Sequence, residues 1–232
     1  KIYKRGKIGR GMVNNIGRKS LGAMIGYRSQ FELAMGFVTG SRATEGEGIY
    51  VSAGAAKNWA HYIAPNKFEV EFSPSGILPA EEAYFYRLKE YPNKANSILE
   101  PIKGSDSIWL RLNKLALERS GYLKGNKDEA IQSFGKILRS LTMGEGYNVI
   151  SLNTPTEGQH FVILDKNIIS RFENVSSKMD KVFRGKFGQI PASIKSQNSP
   201  KYQEWYDNQI AKLEDLWQRE YIMTNRSLEG KV

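Results

Sequence analysis

Apolar and polar positions alternate along some stretches of the chain and recur at helical spacing along others. Gly48-Ile49-Tyr50-Val51-Ser52 reads as a short strand. Lys67-Phe68-Glu69-Val70-Glu71-Phe72 alternates with period two, the pattern of a strand buried on one face. Between them, the alanine-rich stretch from Ala53 to Ile63 predicts a helix that stops before Pro65, because a residue preceding proline is pushed out of the helical region. Ser73-Pro74-Ser75-Gly76 predicts a turn. Pro79 to Tyr91 reads as a helix opened by its proline, whose missing N–H has no partner to lose in a first turn. Two further helices follow. One runs from Asp106 to Ser120, with Ile108, Leu112 and Leu115 on one face. The other runs from Lys127 to Met143, with Ile131, Phe134, Leu138 and Leu141 at helical spacing and Gly144 just beyond its end. Tyr147 to Ser151 predicts a strand, Asn153 to Gly158 a turn-rich loop, and Phe161-Val162-Ile163-Leu164 a strand apolar on both faces. A last helix starts with Ser199 as N-cap and Pro200 in the first turn, and carries the stripe Tyr202, Tyr206, Ile210, Leu213, Trp217.

The flanking regions lack such periodicity. Glycines from Gly6 to Gly48 punctuate the first part of the chain, which predicts turns and close backbone approach, with Ile2-Tyr3 as the end of a strand and Ser29 to Phe37 as a short helix. Residues 171–200 are polar and rich in serine and lysine, and read as a linker. The expected organisation is therefore a domain over residues 1–170, then a linker and helical extension over 171–232.

Composition narrows the chemistry. The 232 residues suffice for one large domain with an extension. With no cysteine, disulfides, zinc–thiolate sites, iron–sulfur clusters and a cysteine nucleophile are excluded. With His61 and His160 the only histidines, a histidine-rich metal site is excluded too; no metal is expected. There is no GxxxxGK[ST] loop and no G-x-G-x-x-G between a strand and a helix. No apolar run approaches the length of a membrane span, and no signal peptide is visible. The net charge of +10 suits an anionic ligand, a nucleic acid or an anionic surface. The N-terminal basic residues Lys4, Arg5, Lys7, Arg10, Arg18 and Lys19 have only Tyr3 and Tyr27 as interleaved aromatics, so base stacking is not suggested. A chain that begins at Lys1 and ends at Val232 reads as a processed fragment.

Two segments carry the more specific signal. One is Glu47-Gly48-Ile49-Tyr50-Val51-Ser52 followed by the alanine-rich helix ending in His61-Tyr62. The other is Gly146-Tyr147-Asn148-Val149-Ile150, a loop, and then Gly158-Gln159-His160-Phe161-Val162-Ile163-Leu164-Asp165. In order and spacing, across residues 1–170, they resemble the ADP-ribosyltransferase superfamily, including its toxin- and effector-like members. The resemblance implies an α+β fold in which split, mostly antiparallel sheets surround an NAD+ cleft with helices on the flanks. It implies transfer of ADP-ribose from NAD+, the substrate, to a macromolecular acceptor, most simply a protein, with release of nicotinamide.

The same resemblance assigns roles. Tyr3-Lys4-Arg5-Gly6 is similar to the family's aromatic-Arg-Gly motif with one residue inserted, making Arg5 and Gly6 NAD+-binding; Arg28, in Gly26-Tyr27-Arg28-Ser29, is the rival arginine. Tyr50 and Tyr62 match the aromatic pair that holds nicotinamide, and Ser52 matches the serine of the strand motif. At the catalytic-glutamate position the chain reads Glu157-Gly158-Gln159-His160, so Glu157, Gln159 and His160 are the catalytic candidates. Glutamine keeps a hydrogen bond to a ribose hydroxyl but has no charge to stabilise an oxocarbenium. Two alternatives stand beside the transferase: a degenerate member of the fold acting as a binding or virion-structural module, and a basic nucleic-acid-binding protein. Toxins, effectors and phage-delivered modifiers use the fold, which would place the activity in a host or target-cell cytoplasm.

Overall fold

The alternating stretch predicted from Lys67 to Phe72 is one strand of an extended sheet. A computed structural model describes residues 21–43, 45–62, 64–80, 86–91, 94–101, 107–121, 127–154 and 158–222. In chain order the elements are β1 (Met24–Gln30), β2 (Ile49–Ser52), α1 (Ala55–His61), β3 (Asn66–Phe72), β4 (Ile77–Ala80), β5 (Tyr86–Tyr91), β6 (Lys94–Pro101), α2 (Ile108–Ser120), α3 (Lys127–Gly144), β7 (Val149–Thr154), β8 (Gly158–Ile163), β9 (Ile169–Asn174), α4 (Ser176–Phe183) and α5 (Pro200–Trp217). Seven strands form one mixed sheet in the order β4-β7-β8-β2-β1-β3-β9, and β5 pairs with β6 in a separate ladder. The β4–β7 pair is parallel; the other pairs of the large sheet are antiparallel. The fold is α+β.

Period two sorts the side chains onto two faces. On one face, Leu78, Ile150, Leu152 and Val162 pack beneath α2 and α3 against Trp109, Leu112, Phe134 and Leu138. Further along that face, Tyr27 of β1 is covered by Ala55 and Ala56 of α1, Met179 and Phe183 of α4, and Leu213 and Trp217 of α5. The opposite face carries Ile49, Val51, Phe68, Val70, Phe72, Val149, Phe161 and Ile163. Serine caps hold two helix starts: Ser107 accepts from the Leu110 N–H and Ser199 from the Tyr202 N–H, and α5 has its proline in the first turn. No described helix is long and apolar enough to cross a membrane.

Several expectations are corrected. Residues 77–80 are strand β4 and 86–91 strand β5, not one helix from Pro79 to Tyr91; Leu78 and Ala80 are buried in register with Ile150 and Leu152, so long-range pairing overrides the local preference of the sequence. The predicted helix from Ser29 to Phe37 is instead the end of β1 and a turn. The Gln30 side-chain amide closes that turn by donating to the Glu32 carbonyl at 2.8 Å and the Ala34 carbonyl at 3.0 Å. The polar stretch after residue 170 is ordered. β9 is the sheet's edge strand, and Arg171 reaches Glu69, Glu71 and Glu173 at 2.5, 3.2 and 2.7 Å. Its charged side chains find their partners only once β3 lies beside it, which is why it reads as linker. The strands, expected as a split pair of sheets, form one sheet with a narrow seam: β1 and β2 meet at a single register pair, Tyr27↔Ser52, whereas β1 and β3 share seven.

Gly26 makes that seam possible. A Cβ at this position would overlap the Val51 side chain of β2. The Gly26→Ala protein is expected to lose about 1–3 kcal/mol of stability in denaturant unfolding, the usual cost of overpacking a close contact. An unchanged midpoint would show that the seam opens without penalty.

Candidate functional site

Beyond the seam, residues 28–30 of β1 have no register partner in β2. A pocket of about 730 Å3 lies there, walled by the end of β1, the following segment to Arg42, and the end of α1; Arg28, Ser29, Phe37, Arg42, His61 and Tyr62 are among its lining residues. Arg28 is half-buried. Burial lowers its pKa from the ordinary arginine value, with Glu32 opposing the shift. Its Nη1 is out of solvent with no hydrogen-bond partner. A buried guanidinium nitrogen left without an acceptor is costly until an acceptor completes it, and an anionic ligand group is one that would. Phe37 is itself covered by two cations that do not line the pocket: the Arg139 guanidinium, whose Nε donates to the Leu164 carbonyl, lies 4.7 Å and the Lys166 ammonium 4.9 Å from its ring centre. Tyr62 is 38% exposed, and its ring meets His61 edge-on at 5.0 Å. The arrangement suits a ligand that combines an anionic group with a flat ring.

A buried polar network backs the pocket on its helical side. Asn58 of α1 is 2% exposed. Its Oδ1 accepts from the Ser29 hydroxyl at 2.6 Å, and its Nδ2 donates to the Tyr27 carbonyl at 3.0 Å and the Ser52 hydroxyl at 3.2 Å. Lys67 of β3 donates to the Ser29 hydroxyl at 2.7 Å and to the Tyr62 carbonyl. One asparagine and one lysine thus tie β1, β2, β3 and α1 together. At the other end of α1, Glu214 of α5 accepts from the Ala56 N–H at 2.9 Å; burial raises its pKa, and the backbone donors work against that shift.

The residues singled out in the sequence fall in different places. Tyr62 lines the pocket and Tyr50 does not. Period two turns Tyr50 to the face under α2 and α3, where its hydroxyl, with one proton to donate, lies 3.0 Å from the Gly46 carbonyl and 3.2 Å from the Glu45 carboxylate. Ser52 lies on that face too, 7% exposed and engaged by Asn58. β2 and β8 are antiparallel neighbours, so the two motif segments do come together, with Ser52 opposite His160. The His160 Nδ1 lies 3.4 Å from the Gly158 carbonyl. Gln159 is exposed, and its backbone carbonyl accepts from the Ala53 N–H at 2.9 Å. The strand registers put its side chain on the same sheet face as Arg28 and opposite to Ser52 and His160. Arg5, Gly6 and Glu157 lie outside the described residues. Arg28 was visible in the sequence as the rival to Arg5. Ser29, Phe37, Arg42 and Lys67 were missed, since a lysine in an alternating strand and a phenylalanine in a glycine-flanked stretch carry no motif. Among the described residues no group of three or more histidines or carboxylates is placed to hold a metal ion.

No family model and no curated protein matches the chain. A solved structure described as "Crystal structure of an anti-CRISPR protein" is similar to it with a TM-score of 0.31 and 13% identity, over 65% of this chain and 94% of that chain. A likeness of that size carries no argument about fold or function.

Proposed function

We propose that the chain is an NAD+-dependent mono-ADP-ribosyltransferase acting on a protein acceptor. The observation that carries this reading is the pocket between the end of β1 and the end of α1, with a buried, unpartnered Arg28 guanidinium nitrogen and an exposed Tyr62 ring, the last residue of the first family-like motif. On this reading the opening beyond the single Tyr27↔Ser52 pair of the one sheet serves as the dinucleotide cleft. Arg28, rather than Arg5, takes the anionic pyrophosphate, and the fork of a guanidinium suits that task. Tyr62 offers its face to the nicotinamide.

The chemistry asked of the site is modest. The bond from the ribose C1′ to the nicotinamide nitrogen breaks, its electron pair leaving with neutral nicotinamide. A nucleophile on the acceptor bonds to C1′ and gives up its proton. A carboxylate near the ribose stabilises the positive charge that develops and accepts that proton. Glu157, two residues before Gln159, is the carboxylate assigned to this role. A second reading, binding without transfer, is favoured by Gln159 itself, because a neutral amide stands in the motif where a carboxylate is expected.

Incubation with NAD+ labelled on its adenylate phosphate and a cell lysate tests the proposal. The wild-type protein is expected to label a discrete band, and Glu157→Gln to lower the yield by about a hundredfold, in the range of losing one electrostatic stabiliser of a transition state. NAD+ binding without labelled product would favour the second reading. Label undiminished in Glu157→Gln would move the chemistry to another group.

A further inference from the structure

Lys67 is a buried cation, 7% exposed, on a strand that does not line the pocket, yet both acceptors of its ammonium group do. It donates to the Ser29 hydroxyl of β1 at 2.7 Å and to the carbonyl of Tyr62, the residue that caps the end of α1. Ser29 passes the connection on to Asn58, and Asn58 to Ser52. Lys67 makes no ion pair among the described residues; Asp180 of α4 acts on it electrostatically. On the surrounding elements, β1 carries Tyr27 and Arg28, α1 ends in His61 and Tyr62, β3 carries Glu69, β9 carries Glu173, and α4 carries Lys178 and Asp180. The backbone of Lys67 is held independently, its N–H donating to the Ser176 hydroxyl at 2.8 Å and its carbonyl accepting from the Val175 N–H at 2.7 Å.

We propose that Lys67 is a positioning residue for the pocket: its ammonium group clamps the Tyr62 end of α1 to Ser29 of β1 and so sets the separation of two pocket walls. An ammonium has several donors on one centre and can hold two acceptors from different elements at once. The consequence for NAD+ rests on the function proposed above; the clamp itself does not.

Charge makes the clamp respond to pH. Burial lowers the Lys67 pKa from 10.5 to about 8, against the pull of Asp180. As pH rises through about 8, the ammonium loses its proton, the charge-assisted bonds weaken, and the walls loosen. Stability moves the other way. Between about 8 and 10.5 the unfolded chain still binds the proton that the folded chain has released, so the Lys67 contribution to stability rises with pH in that window. Ligand affinity that falls while this contribution rises separates a positioning role from a merely structural one.

The test combines two titrations of the whole chain between pH 6 and 10. In amide NMR spectra, the Ser29 and Tyr62 signals are expected to shift with a common midpoint near 8. Those shifts should vanish in Lys67→Met, whose core signals, such as the Trp217 indole, stay in place. In calorimetry, NAD+ affinity should fall over the same range in the wild type. It should be about tenfold weaker and independent of pH in Lys67→Met, and largely restored in Lys67→Arg, as expected for one charged hydrogen-bonding group. Signals of Ser29 and Tyr62 that ignore pH, or that titrate equally in Lys67→Met, would overturn the clamp. Pocket signals that titrate as expected while NAD+ affinity does not change with pH would overturn the positioning role. Titrating signals in a protein that binds no NAD+ would support the clamp and reject the transferase reading.

Discussion

Trp217→Ala is expected to destabilise the whole domain by about 3–5 kcal/mol, the cost of emptying a large buried aromatic site, and not merely to fray the C-terminal helix. The indole is fully buried. It stacks on Tyr221 at 4.2 Å, lies 5.5 Å from Phe183, and meets Tyr27 edge-on at 5.9 Å. Its N–H donates to the Tyr27 hydroxyl at 2.9 Å, and Tyr27 immediately precedes Arg28 on β1. Removing the ring leaves a cavity against the central part of the sheet and deprives a buried phenol of its donor. Trp205→Ala is the control: its ring is partly exposed near the start of α5 and contacts Phe187 and Tyr202, so a loss under about 1 kcal/mol is expected for a site that water can fill. Chemical denaturation followed by circular dichroism distinguishes the outcomes. One cooperative transition moved to lower denaturant in Trp217→Ala meets the expectation. A separate early transition of the extension, with the main one unmoved, would mean that α4 and α5 are an independent unit.

The second large effect concerns Arg28. Arg28→Ala is expected to weaken NAD+ binding by about thirtyfold or more, as when one partner of a buried charge pair is truncated. Arg28→Lys should recover little, because a point charge does not reproduce the guanidinium fork. Stability should not fall in parallel. Arg28 Nη1 is buried without a partner, so removing the group relieves a desolvation cost and the alanine variant should be as stable as the wild type or more so. Calorimetric titration and thermal melts measure the two quantities. Loss of binding with a retained or raised melting temperature identifies a ligand-binding arginine. Equal losses of both would make Arg28 a structural residue, and unchanged binding would move the site elsewhere.

Much of this architecture is legible in the sequence, and what is not has identifiable physical causes. Helices α2, α3 and α5 and strands β2, β3 and β8 follow directly from periodicity and caps, because each has an apolar stripe matched to its own period. β4 is held by parallel pairing with β7, some 70 residues distant, and by the burial of Leu78 and Ala80 beneath the α2–α3 layer, so helix-favouring residues downstream of Pro79 misdirect a local reading. β9 hides behind charge: Arg171 and Glu173 look like solvent-facing linker until Glu69 and Glu71 are brought opposite them. The candidate site was half visible. Tyr62 stood at the end of the first motif-like segment and Arg28 was the rival to Arg5, but Tyr50 occupies the wrong phase of β2 to reach the pocket. Lys67 could not have been found, since its significance lies in the two acceptors that its ammonium spans across separate elements.

The central claim is that a nicotinamide dinucleotide occupies the pocket between the end of β1 and the end of α1. Titrating isotopically labelled protein with NAD+ and following the backbone amides tests it most directly. The account predicts saturable shifts concentrated in residues 28–38, 42 and 61–64, with smaller ones at 158–160, and little change at the Phe187–Trp205 surface. Shifts absent from the first group, or gathered on another surface, would contradict it.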